Sequence, residues 1–86
     1  LRAAVVKKGG KKFLLVDAGK FDPMTGDLPP EQTIRARLSK RHNKLPLLIT
    51  GTSMVGNALT YRGDITLVQL VRGLPLSSFR WKKLKE

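Results

Sequence analysis

Apolar and polar positions alternate in short runs along this chain, and no segment joins helical periodicity to end caps over three turns. Ala3–Lys7 and Lys12–Val16 are brief, β-branched or aromatic stretches. Between them Gly9-Gly10 can supply the positive φ values of a tight primed turn, so the opening is expected to be a β-hairpin. Ala18–Glu31 is dense in Gly, Pro and Asp and reads as a surface loop, with Pro29-Pro30 opposing any helix through it. In Gln32–Lys44, Ile34, Ala36 and Leu38 alternate with Thr33, Arg35 and Arg37, which favours a strand, while the basic tail could equally begin a short helix. Pro46–Thr50 is a brief apolar run that a Gly-Thr-Ser turn is expected to end.

Ala58–Arg62 and Ile65–Val71 are again strand-like, separated by Gly63-Asp64. In the second, Ile65, Leu67 and Gln69 would face one way and Thr66, Val68 and Leu70 the other. Near the end, Phe79, Trp81 and Lys83 alternate with Arg80, Lys82 and Leu84. Strands punctuated at this spacing predict a mostly all-β domain, a small β-barrel of about six to seven short antiparallel strands with basic loops.

Length makes one domain, 1–86, the expectation, and a chain this short buries only roughly 60–65% of its unfolded surface. Charge changes the picture more. Lys and Arg number 17 against 6 Asp and Glu, for a net charge of +11, a surplus suited to a protein held against a polyanion. The hydrophobic content of 41% is too high for a disordered basic tail. There is no cysteine, so disulfides and thiolate metal sites are excluded. No run of about 18 apolar residues offers a membrane span, and no membrane partner is expected. The sequence begins at Leu1 rather than methionine, which a cleaved organelle transit peptide would explain.

Candidate chemistry is sparse. Gly51–Ala58, "GTSMVGNA", has the glycine spacing of a phosphate-binding loop, but Asn57 and Ala58 stand where that motif needs Lys and then Ser or Thr. Arg62-Gly63-Asp64 matches an adhesion tripeptide, yet Gly-Asp between two apolar runs is ordinary turn chemistry. His42 is the single histidine, with neither converging metal ligands nor a nucleophile and orienting partner apparent. We therefore expect no enzyme, no metal, no cofactor and no small-molecule substrate.

What remains is three basic clusters. One is Arg35, Arg37, Lys40, Arg41, His42 and Lys44; a second is Arg72, Arg80, Lys82, Lys83 and Lys85, interleaved with Phe79 and Trp81; the third is Lys7, Lys8, Lys11 and Lys12 around Gly9-Gly10. Some of these are ordinary solvated lysines, but phosphate binding accounts for so few compensating acids, because each neutralised phosphate releases condensed counterions. Trp81 and Phe79 could stack on unpaired bases, although core packing is the expectation for at least one of them.

The opening "AVVKKGGKKFLLV" resembles the start of the bacterial-type large-subunit ribosomal protein twenty-one family. There, an Ala-Val-Ile strand leads into Gly-Gly-Lys, then Gln-Tyr and an apolar strand. Ala4, Val5 and Val6 match the strand, Gly9, Gly10 and Lys11 the turn, and Phe13 takes the tyrosine place. "GTSMVGNALTY", Gly51 to Tyr61, is similar to the family's second island, with Ser53 for a proline and Asn57 near an expected glycine. "QTIRARL" sits where the family has a strand, and the loop around Asp17–Asp22 needs an inserted residue. The family's long basic loop before its last strand is cut back, with Phe79–Leu84 aligned to the closing strand. The resemblance implies a β-barrel without catalysis, a structural constituent of the ribosomal large subunit. It also implies large-subunit ribosomal RNA and neighbouring ribosomal proteins as partners. The departures fit a diverged organellar, mitochondrial member, with a plastid or bacterial cytoplasm as alternative locations. A free-standing β-barrel binding single-stranded nucleic acid is the competing expectation.

Overall fold

The apolar stretches Phe13–Val16 and Leu47–Ile49 lie side by side and are almost completely withdrawn from solvent. A computed structural model of the chain describes residues 1–21, 29–53, 59–71 and 78–84. Within it, β1 (Arg2–Lys8) and β2 (Lys11–Phe21) form the expected antiparallel hairpin, in register from Arg2 opposite Asp17 to Lys8 opposite Lys11. Gly9 and Gly10, at φ 61° and 77°, turn the chain. Both central residues of a type I′ turn need positive φ, which glycine adopts without steric cost.

The chain then passes through α1 (Glu31–Ala36) and returns as β3 (Leu47–Ser53), parallel to β2. Parallel neighbours cannot be joined by a tight turn, so a long crossover is obligatory, and a helix is its usual content. β4 (Leu59–Gly63) pairs antiparallel with β3, and the two-residue β5 (Lys82–Lys83) with β1. The result is a small domain dominated by a mixed five-stranded sheet in the order β4-β3-β2-β1-β5, with few helices. It is an open sheet edged by β4 and β5, not a closed barrel, and the β2–β3 pair corrects the all-antiparallel expectation.

Both faces of the sheet are covered. On one, Ala3, Leu14, Val16, Leu47 and Ile49 pack with Ile34 of α1 and with Leu38, Leu45 and Leu84 around it. On the other, Val6, Phe13, Leu15 and Leu48 meet Leu67 and Val71, with Phe79 and Trp81 at the margin. Each large aliphatic or aromatic side chain buried this fully contributes about 1.5–3 kcal/mol.

Two segments expected as strands are helical. Ile34 and Leu38, spaced i and i+4, lie on the covered face of the α1 region, whereas Ala36 between them is exposed. Ile65–Leu67 is a 3₁₀ turn that continues into α2 (Val68–Val71), where Leu67 and Val71 are again an i, i+4 pair turned inward. No helix runs through Pro29-Pro30, as their ring chemistry leads one to expect; α1 starts directly after them, with the Pro30 carbonyl accepting bonds from the Thr33 and Ile34 amides. Gly51-Thr52-Ser53 extends β3 instead of ending it, while residues 54–58 of the phosphate-loop stretch and 22–28 of the acidic loop lie outside the described residues. The Arg62-Gly63-Asp64 tripeptide is turn chemistry: Asp64 caps the 3₁₀ turn by accepting from the Thr66 amide.

Gly63 carries φ 111° and faces the Leu47 carbonyl so closely that a Cβ would collide with it. Gly63→Ala should therefore lower the unfolding free energy by about 1–3 kcal/mol. Gly10→Ala, with open space around it, should cost only about 1 kcal/mol for the backbone conformation alone. Urea titration of the two variants checks this ranking, and equal losses would contradict the close approach of β4 to β3.

Candidate nucleic-acid interface

Because β5 covers only the Arg2–Ala3 end of β1, Val5 on the α1 face remains 41% exposed. Around it lies a half-open basin of about 480 Å³. Its floor is aliphatic, made by Ala3, Val5 and Leu14 of the hairpin with Leu38 and Leu84 at the sides. Its walls are basic. Arg37, Ser39 and His42 come from the turns that follow α1, and Arg80, Lys82 and Lys83 from the C-terminal segment.

Segments about forty residues apart thus converge, joining members of two basic clusters that the sequence separates. No described carboxylate lines this basin. The three described acids are engaged elsewhere: Asp17 with Arg2 at 2.8 Å, Glu31 with Arg35 at 3.2 Å, and Asp64 with Thr66. Crowded cations without nearby carboxylates attract a polyanion strongly.

The hairpin lysines divide between the two faces. Lys7 and Lys12 are directly paired and follow Val5 and Leu14 on the basin face. Lys8 and Lys11, the next pair, turn to the other face. There the Lys8 ammonium donates to the Leu70 carbonyl at 3.3 Å, and Lys11 acts on the Asp64 carboxylate. Hydrogen bonds from the Thr66 hydroxyl, then from its amide, hold the Asp64 carboxyl below its ordinary value, with Lys11 adding a smaller pull.

Arg35 is engaged within the fold. Its guanidinium donates to the Asn43 and Leu45 carbonyls at 2.8 and 2.9 Å and pairs with Glu31 across one helical turn. It fastens the post-helical turn to α1. Lys40, Arg41 and Lys44 are exposed on that turn and lie outside the basin lining. Arg72 and Lys85 lie outside the described residues.

Trp81 is half-buried on the opposite face, edge-to-face with Phe79 at 5.9 Å and covered by the Arg2 guanidinium at 4.6 Å. Both aromatics pack at the core margin, in keeping with the core packing expected of at least one of them. Residues that sequence reasoning missed are the aliphatic floor, above all Val5 and Leu38. Strand alternation puts Val5 on one face, but its exposure is decided by what packs on that face.

Among the described residues no group of three His, Cys, Asp or Glu side chains could hold a metal ion. Nor is any described helix long and apolar enough to cross a membrane. Compared with known proteins, the chain matches no protein-family model, no curated protein and no solved structure.

Two outcomes follow from these contacts. Arg35→Ala removes two charge-assisted bonds to backbone carbonyls and should destabilise the fold by about 2–3 kcal/mol in chemical denaturation. A loss below about 0.5 kcal/mol would return Arg35 to the exposed cations. Asp64, its folded pKa depressed, stabilises the fold above its unfolded-state value, and that stabilisation is lost as pH falls through the folded value. The melting-temperature gap between wild type and Asp64→Ala should accordingly be present near neutrality and shrink below the ordinary aspartate range. A gap independent of pH would exclude the charged cap.

Proposed function

We propose that this protein binds RNA through the phosphate backbone, using the face that carries the basin and the Lys7–Lys12 pair. The observation that supports this reading is the gathering of Arg37, His42, Arg80 and Lys82 from two distant segments around one opening that no described carboxylate lines. Cations at the margin of a sheet displace condensed counterions from phosphates, and such contacts depend on shape and charge spacing rather than base identity. The role is that of a binding protein and not a catalyst.

The sequence resemblance narrows the RNA to that of the ribosomal large subunit. On this reading the chain is a structural constituent lodged among ribosomal proteins, in mitochondria in its organellar form. The closed antiparallel barrel of that family is not carried over, since β2 and β3 run parallel. Charge placement supports the assignment; topology does not.

Binding of a large-subunit ribosomal RNA fragment, followed by fluorescence anisotropy across a potassium chloride series, tests the interface. Replacing Arg37, Arg80 and Lys82 together by Gln should reduce the log–log salt slope by about two to three units. Lys7→Gln with Lys12→Gln should remove about one to two, and Lys8→Gln with Lys11→Gln less than one. An unchanged slope in the triple variant would end the proposal. Sucrose-gradient fractionation of the native source separates the ribosomal form, which sediments with the large subunit, from a free nucleic-acid binder, which stays in light fractions.

A further inference from the structure

We propose that the basin is a nucleotide subsite, holding one unpaired nucleotide that projects from the bound RNA; this rests on the RNA-binding reading above. A purely electrostatic phosphate site has no use for an apolar floor. Here Val5 and Leu14 form one between cationic walls, and the volume of about 480 Å³ falls in the range of small-ligand sites. An extruded base has an apolar face to lay on the aliphatic floor, while its flanking phosphates meet cations on either side. Arg37 and Arg80, from two distant segments, both line the basin, and guanidinium planes also pack against base faces.

The occupant is a polynucleotide rather than a single-headed amphiphile because the positive charge continues beyond the basin. Lys7 and Lys12 sit two residues past Val5 and before Leu14 on the same sheet face, roughly 7 Å further along the strands. A strand of RNA leaving the basin meets them next. A fully paired A-form helix shows this surface only phosphates and a shallow groove, so its bases do not reach the floor.

The experiment compares two RNA duplexes of equal length, one fully paired and one with a single bulged adenosine. Wild type should bind the bulged duplex about tenfold tighter, in keeping with the worth of one docked base. Val5→Trp, which fills the floor without changing charge, should abolish that preference, so that the bulged and the paired duplex bind the variant equally. Circular dichroism of the variant verifies its fold. A second measurement does not depend on any variant: a 4-thiouridine placed at the bulge should photo-crosslink to Val5, Leu38 or His42. Crosslinks confined to the Phe79–Trp81 face, or equal affinity of wild type for the two duplexes, would overturn the subsite while leaving RNA binding intact. Absence of binding to either duplex would overturn both readings. Micromolar binding of adenosine monophosphate without RNA binding would do so too, and would make the basin a site for free nucleotides.

Discussion

The parallel pairing of β2 with β3 is the constraint on which the rest of this protein depends. A parallel pair demands a crossover, and the crossover has to pack on one face of the sheet. Ile34 does so with no solvent exposure, and the chain after α1 is then fastened by Arg35 to the Asn43 and Leu45 carbonyls. The second face is closed separately by the 3₁₀ turn and α2, through Leu67 and Val71. Two strands that supply most of the core are thereby sealed above and below, a substantial core for a chain of 86 residues.

The two faces nevertheless end up chemically different. On the α2 side, Phe79 and Trp81 fill the margin and Arg2 bridges from Trp81 to Asp17, so aromatic surface and cation are both spent internally. On the α1 side Val5 stays open, and basic side chains line the basin around it. One sheet thus separates a face where aromatic residues pack at the margin from a face where basic residues line an opening. The net charge of +11 is not evenly spread in its consequences. Arg2, Lys8, Lys11 and Arg35 have partners in the fold, and Arg37, His42, Arg80 and Lys82 surround the basin.

Adjacent residues illustrate how little linear position says about role. Arg35 and Arg37 differ by two positions, which in a strand would put both on one face, as the alternation of Gln32–Lys44 suggests. In a helical segment the same two positions diverge by more than half a turn, and one arginine becomes a structural staple while the other reaches the basin. The helical outcome was hidden because the series Ile34, Ala36, Leu38 contains an i, i+4 pair as well as a period of two, and Leu67 with Val71 is hidden in the same way. A signal for the parallel pair did exist. Phe13–Val16 and Leu47–Ile49 are unbroken apolar runs, as suits strands buried on both faces rather than on one.

The sequence by itself determined what is local or additive: the hairpin, because Gly9-Gly10 admits the turn, and the large cationic surplus; of the strand expected over Phe79–Leu84 only Lys82–Lys83 forms. It also determined that cysteine chemistry is absent. Only the tertiary structure decided which alternating face is covered, which arginines are consumed, and that the turn after α1 meets the C-terminal strand across a basin. Those outcomes depend on contacts between residues far apart in the chain. The parallel register that sets them puts Leu14 beside Leu47 and Val16 beside Ile49, a pairing between two distant apolar runs that neither run encodes alone.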